Sequence, residues 1–246
     1  LIVILTTFLA LNSAKADAAE GHSSAERSSS VEELTISQIF DLSKHIKKVP
    51  GENPNYEEIK EAVDFASKVT GVRKDFLMGM LAMESDFGKN TGECTYEEVE
   101  SGAERSHSRG LLSHRAWITF QERREIITDL SRELGYDYKK IKVSCNPARY
   151  AGTGGALGIP QFMPDTWLEY KDRIAEVVGK DNPDPWNPKD GVVAMAIKLS
   201  DVPGVTMHST AAERNAAKLY LSGTTSWQYN WYANQVVYWK ESNSVS

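Results

Sequence analysis

A glutamate closes an apolar run in the stretch FLMGMLAMESDFGKN, residues 76–90, where another leucine would pack better. On a helix over residues 73–87, Leu77, Leu81 and Glu84 fall on one line at spacings of four and three, flanked by Met80 and Phe87. That spacing turns the Glu84 carboxyl toward the buried side. Gly88 stands where a cap for this helix is expected, which sets Glu84 beside the negative pole of the helix dipole. Burial and dipole both disfavour the anion, so the expected pKa lies above that of an exposed glutamate. A carboxylic acid that is still protonated near neutral pH is the general acid that glycosidic-bond cleavage requires. An exposed helix-end glutamate is the commoner fate of such a residue, and periodicity alone leaves both readings open. Asp86, two residues on, is expected to face away from Glu84's side of the helix.

The other residues with chemical potential narrow the field. The five histidines, His22, His45, His107, His114 and His208, show no metal-ligand spacing and read as loop or surface residues, so no metal or cofactor is expected from them. The formal net charge of -6 offers no basic stripe to neutralise phosphates, which argues against nucleic acid as a partner. Acidity also argues against a purely electrostatic grip on an anionic polymer.

Positioning such a carboxyl calls for a folded core, and 246 residues at 41% hydrophobic supply one domain of roughly 200 residues plus extensions. The chain opens on LIVILTTFLAL, an apolar run too short to span a bilayer, followed by small residues around Ala14–Ala18. Residues 1–16 therefore read as a secretory signal peptide with its start clipped off, an uncleaved anchor being the alternative. Residues 17–33 are small, polar and devoid of aromatics and read as a flexible linker, so that the folded domain is expected over residues 34–243. Export would carry Cys94 and Cys145 into an oxidising compartment, where pairing is favoured over two buried thiols.

The remaining pattern is helical. Apolar residues at helical spacing predict helices over 35–48, 56–70, 73–87, 114–134, 165–178, 188–200 and 210–222, and an aromatic one from Ser226 to about Lys240. Two stretches break the pattern: a polar loop from Lys89 to about Leu112, and a Gly- and Pro-rich turn region from Cys145 to Pro164 with room for a short hairpin between residues 136 and 155. The fold class is mainly α, with function expected on these two loops. Among the C-terminal aromatics Trp227, Tyr229, Trp231, Tyr232, Tyr238 and Trp239, the spacing of positions 232, 236 and 239 favours core over sugar stacking.

Three segments in order, ESDFGKNTG at 84–92, GTGGALGIPQFMPDTW at 152–167 and AAKLYLSGTTSW at 216–227, give the sequence a further reading. From about residue 56 to residue 237 the chain resembles bacterial lytic transglycosylases with a lysozyme-like catalytic domain of the soluble and membrane-bound types. The resemblance implies a lysozyme-like helical domain with long substrate-binding loops and at most a small hairpin. It also implies cleavage of the β-1,4 bond between N-acetylmuramic acid and N-acetylglucosamine in peptidoglycan, leaving 1,6-anhydro ends. Glu84 would be the acid and then the base. Ser85 would assist locally, Gln161 would hydrogen-bond the sugar, Phe162 and Met163 would line the cleft, and Tyr220 would hold Glu84 or the substrate by its hydroxyl. For Phe162 and Met163 simple core packing is the alternative. The partners implied are peptidoglycan glycan strands, with cell-wall synthesis or remodelling proteins beside them. The chain is expected to act as a monomer, exported to the periplasm or cell envelope.

Two departures stand out. The third motif often reads Tyr-Asn-Ala-Gly, whereas Tyr220 is followed here by Leu221, Ser222 and Gly223. Some relatives carry a calcium loop before the helix that starts near Pro188, whereas KDNPDPWNPKD places Pro183 and Pro185 where oxygen ligands would be needed, so no such site is expected. Two other functions stay in play. A muramidase would hydrolyse the same bond with a water held by a loop carboxylate such as Glu93 or Glu97, and a wall-binding module would keep the cleft without the chemistry.

Overall fold

The computed structural model describes residues 49–50, 53–146 and 153–243. The expected signal peptide, the linker, the domain start at Leu34 and the helix over 35–48 lie outside the described residues.

Eight α-helices follow in chain order among the described residues: α1 (Tyr56–Thr70), α2 (Lys74–Ser85), α3 (Tyr96–Ser108), α4 (His114–Leu134), α5 (Pro164–Val178), α6 (Pro188–Ser200), α7 (Thr210–Ser222) and α8 (Asn230–Asn243). A 3-10 turn, Trp227–Tyr229, leads into α8. Among the described residues the strands form one antiparallel pair, β1 (Cys94–Thr95) and β2 (Lys142–Val143), in the register Cys94 to Val143 and Thr95 to Lys142. Mainly α with a minimal sheet is therefore the observed class.

Local chemistry explains the boundaries. Asn55 and Glu58 form a reciprocal capping box at the start of α1, and Gly71 ends that helix in the left-handed conformation at φ 77°. Asn187 caps α6, with Pro188 as its first residue. The seven residues Gly191–Ile197 are all buried, which makes α6 the central helix; α1 packs on one side of it and α5 on another.

The polar loop expected between Lys89 and Leu112 is not a loop. It contains β1 and the 13-residue α3, whose Thr95 and Glu98 form a second capping box. Only Tyr96, Val99 and Ala103 give α3 its buried apolar stripe, and so sparse a stripe hid it from a periodicity argument. The strand pairing also differs from a local hairpin: β2 pairs back to β1, and isolated bridges join Val143 to Leu157 and Leu157 to Phe162. This chain of pairings ties the Gly-rich turn to the sheet and so fixes where Gln161–Met163 lie. Cys94 and Cys145 are joined by a disulfide across 51 positions of sequence, which closes the same region covalently.

Two contacts set the remaining helices. A Cβ on Gly79 would lie 2.5 Å from the Val236 carbonyl oxygen, so the absence of a side chain there lets α2 and α8 touch backbone to backbone. The Glu213 carboxylate of α7, 1% exposed, accepts hydrogen bonds from Arg73 Nε (2.8 Å) and Nη2 (2.7 Å) and from Lys240 Nζ (2.7 Å). One ionic cluster thus joins the entry to α2 with α7 and α8.

Candidate active site

Glu84 is the penultimate residue of α2 and is half-buried, above Phe76, Leu77, Met80 and Leu81, which are almost fully buried. Its Oε1 accepts a hydrogen bond from the Tyr232 hydroxyl of α8. Burial pushes its pKa up to about 7, while the Tyr232 hydrogen bond and the Lys198 ammonium of α6 pull it the other way. The field at Glu84 includes no second carboxylate among the described residues.

The helix stops at Ser85, two residues short of the expected end, because three left-handed residues follow: Asp86 (φ 46°), Phe87 (φ 57°) and Gly88 (φ 81°). Asp86, not Gly88, is the cap, and it is exposed. The Phe87 N–H donates to Leu81 O (3.0 Å), Gly88 N–H to Ser85 Oγ (3.1 Å) and Asn90 N–H to Ser85 O (2.8 Å). A left-handed phenylalanine costs about 1–2 kcal/mol. Its ring is held edge-on by Tyr56 at 5.9 Å and Trp239 at 6.1 Å. Such pairs contribute about 0.5–1.5 kcal/mol each, enough to offset the strain. The turn redirects the chain immediately after the carboxyl it presents.

The structure distributes the other expected residues unevenly. Ser85 is 1% exposed, and its hydroxyl and carbonyl are both engaged in the turn, so its contacts hold the backbone behind Glu84 rather than face a cleft. Gln161 is partly exposed at φ 50°. Its Nε2 donates to Gly158 O (2.7 Å), while its amide oxygen has no hydrogen-bond donor among the described residues. Phe162 is 2% exposed and packs on Trp167, Tyr170 and Tyr220, so the core alternative describes it better than a cleft wall. Met163 is partly buried as the residue before α5. The Tyr220 hydroxyl does not reach Glu84; it donates to Pro160 O at 2.5 Å and so clamps the Gly-rich turn. Of the two partners expected for Tyr220, Glu84 or the substrate, Glu84 is bonded instead by Tyr232.

Two residues of the site were missed in the sequence. Tyr232 is core, as its spacing suggests, at 3% exposed; the buried face of α8 runs through Tyr232, Ala233, Val236 and Lys240, with Trp239 at its margin. Only the tip of its side chain is polar, and that tip meets Glu84. Lys198 interrupts the apolar run GVVAMAIKLS much as Glu84 interrupts its own, and the same signal would have found it. Its Nζ lies 5.0 Å from the centre of the Phe162 ring and 5.1 Å from that of Tyr220. Burial lowers its pKa, against the pull of Glu169, Glu84 and Asp165.

The loop carboxylates lie elsewhere. Glu97 is exposed and paired with Lys139 at 3.4 Å, and Glu93 is exposed beside β1. Among the described residues no cluster of three histidine, cysteine or acidic side chains has the arrangement to hold a metal. The segment before α6 is tied to the first turn of that helix: both oxygens of the fully buried Asp190 accept from Lys180 Nζ at 2.8 Å, and one also accepts the Asp184 N–H at 2.9 Å.

A model of the transglycosylase SLT domain matches residues 27–214, a stretch that contains Glu84, Gln161 and Lys198 and ends before Tyr220 and Tyr232. Among solved structures, the Escherichia coli lytic transglycosylase Slt35 in complex with bulgecin A is similar in fold, with a TM-score of 0.50 at 14% identity over 86% of this chain and 85% of that one. Soluble lytic transglycosylase SltB1 from Pseudomonas aeruginosa aligns with a TM-score of 0.43 at 24% identity over 61% of this chain and 46% of that one. A 36 kDa muramidase/transglycosylase gives a TM-score of 0.43 at 19% identity, and this chain again spans 46% of its length. No curated protein matches the sequence.

Proposed function

This chain belongs to the transglycosylase SLT domain family, and on that premise we propose that it is a lytic transglycosylase of peptidoglycan, cutting the β-1,4 bond between N-acetylmuramic acid and N-acetylglucosamine and leaving 1,6-anhydro ends. The observation that carries the reading is Glu84: one half-buried carboxyl, raised to about 7, with no second carboxylate in its field among the described residues.

Such a group is poised to act twice. Protonated, it gives its proton to the glycosidic oxygen, and the bond from muramic acid C1 to that oxygen breaks; the leaving N-acetylglucosamine keeps a free hydroxyl at C4. The electron-poor C1 is stabilised by the sugar's own 2-acetamido group. Glu84, now a carboxylate, takes the proton of the muramic acid C6 hydroxyl, and O6 closes on C1. The ring forms, Glu84 is again protonated and no water is consumed. An ordinary glycosidase needs a second carboxylate to act as nucleophile or to activate water; here the substrate supplies both substitutes. A pKa near the working pH suits a group that must release and then reclaim one proton.

The neighbours fit supporting roles. Tyr232 orients Glu84 and donates to its anion. Ser85 holds the turn behind it, and the free amide oxygen of Gln161 is available to a sugar hydroxyl or acetamido N–H. Phe162, Met163 and Tyr220 shape and clamp the Gly-rich turn that carries Gln161. The substrate places the protein in the periplasm or cell envelope, acting as a monomer beside wall-synthesis or remodelling proteins.

Mass spectrometry of digested peptidoglycan tests substrate and reaction together. Anhydro-muramic acid ends are expected; products heavier by one water would instead identify a muramidase. Glu84→Gln is expected to release no muropeptides, and release at the parent rate would overturn the assignment of the acid.

A further inference from the structure

Lys198 is a charge that no carboxylate among the described residues pairs directly. Among the described residues its ammonium makes no hydrogen bond and no ion pair; its close contacts are the faces of Phe162 and Tyr220, 5.0 and 5.1 Å away. Cation–π contacts return only about 0.5–2 kcal/mol. A half-buried ammonium directly after the buried run Gly191–Ile197 therefore holds a position that the resting protein compensates incompletely.

The groups that act on it come from two neighbouring helices: Glu169 and Asp165 lie on α5 and Glu84 on α2, and both helices pack directly against α6, which carries Lys198. Asp165 is already engaged by Arg123, at 3.0 and 2.9 Å. The groups facing Glu84 are Tyr232 of α8 and Lys198, and Tyr220 of α7 feels the Glu84 charge in turn. Burial keeps Tyr220 and Tyr232 neutral, so of the groups that face Glu84 Lys198 is the one that carries a charge to meet its anion.

We propose that Lys198 is a positioning residue for the reaction: seated on the Phe162 and Tyr220 rings, its ammonium meets the negative charge that Glu84 acquires on giving up its proton. The inference rests on Glu84 being the acid. Before proton transfer the site holds a neutral carboxyl and a lone cation. After it, the site holds an anion and a cation in a water-poor setting, where their attraction exceeds its value in solvent. The attraction grows during the step, which is the condition for lowering a barrier rather than merely binding substrate. Lys198 keeps its own proton throughout. Phe162 and Tyr220 thereby take a second role beside shaping the Gly-rich turn, since their ring faces fix the ammonium.

The test is the pH profile of kcat/KM on a soluble peptidoglycan tetrasaccharide, for the parent, Lys198→Met and Lys198→Arg. The acid step needs protonated Glu84, so activity falls on the alkaline side as Glu84 ionises. Losing a nearby cation raises the carboxyl's pKa, so the alkaline limb of Lys198→Met is expected to move up by about half a pH unit or more. The maximal rate is expected to fall at least about tenfold, as for loss of one aimed electrostatic group. Lys198→Arg is expected to restore the limb. A uniform loss of rate with the limb unmoved would overturn the proposal, since a purely structural lysine would behave that way. Should Lys198→Met fail to fold, Lys198→Gln gives the same readout. Carboxyl 13C titration of Glu84 in parent and variant reads the coupling without turnover, so it separates failure of the Lys198 inference from failure of the proposed reaction. A Glu84 titration identical in both proteins would overturn the inference whatever the products are.

Discussion

Replacing Glu84 by glutamine is expected to stabilise the fold at alkaline pH while it abolishes the reaction. In the folded protein the carboxyl binds its proton more tightly than in the unfolded chain, with a pKa raised from the ordinary 4.5 to about 7. Below the lower value both states are protonated and the group is neutral to stability. As pH rises the unfolded state ionises first, so stability falls through this window and is lowest above about 7. Each tenfold change in proton affinity is about 1.4 kcal/mol, so the full displacement opposes folding by about 3 kcal/mol. Glutamine keeps the shape and the acceptor for the Tyr232 hydroxyl but never ionises. For a domain of this size about 3 kcal/mol corresponds to a melting-temperature difference of about 6–12 °C. Thermal unfolding followed by circular dichroism at about pH 4 and about pH 8.5 measures it, the variant-minus-parent difference removing every other titrating group. The variant should match the parent in acid and exceed it in base. An equal difference at both pH values would refute the burial of an ionisable Glu84 and, with it, its preparation as an acid.

Tyr232→Phe removes the hydroxyl that stabilises the Glu84 anion, a bond to a charged group of about 1.5–3 kcal/mol; a carboxyl 13C titration should find Glu84 still protonated above about 7. Gly79→Ala places a methyl 2.5 Å from the Val236 carbonyl oxygen, forcing α2 and α8 apart. A cost of about 1–3 kcal/mol is expected in urea unfolding, with a drop in kcat larger than the change in KM. Glu213→Gln leaves Arg73 and Lys240 without their shared partner, at a cost of about 3–5 kcal/mol, visible at pH 7 as a melting temperature lower by about 10 °C. Burial opposes ionisation of Glu213, yet Arg73 and Lys240 hold its carboxyl below its ordinary value; its contribution is therefore present above the ordinary pKa and lost as pH falls below it. Reducing the Cys94–Cys145 bond opens a loop of 51 positions, a chain-entropy effect of about 4 kcal/mol, and should lower the melting temperature of the reduced protein in the same assay.

Helices with an apolar stripe and a sharp cap were legible residue by residue: α1, α4, α6 and α7 begin and end where periodicity, Asn187, Gly71 and Gly135 place them, and the structure adds Gly223 as the left-handed cap of α7. α3 was not, because its sequence is mostly polar and its only strong local signal is the capping box of Thr95 and Glu98. The inward turn of Glu84 could be read from its spacing to Leu77 and Leu81, since both lie on the same helix. Its partners could not. Tyr232 is 148 positions away and Lys198 is 114, and no local pattern states that α8 and α6 converge on the end of α2. What the sequence does carry is the anomaly of each residue: a carboxyl and an ammonium in two apolar runs, which become one site only in three dimensions.

Helix α8 shows how that convergence is enforced. It is held against α2 by backbone contact at Gly79, where Val236 O and Lys240 N both approach within about 3 Å of the missing Cβ. Its Lys240 is bonded to Glu213, which Arg73 at the entry to α2 also holds, so both helices are tied to one carboxylate of α7 at the end of their contact away from Glu84. Tyr232 lies two turns before Lys240 on the same buried face, and its hydroxyl is thereby fixed relative to a carboxyl on the neighbouring helix. A hydroxyl on a mobile loop would lose rotamer and backbone freedom each time it bonded Glu84. Placed on a helix anchored at two points, it has met that cost during folding. A backbone contact and an ionic cluster, neither involving Glu84 itself, therefore determine how well one carboxyl is prepared to act.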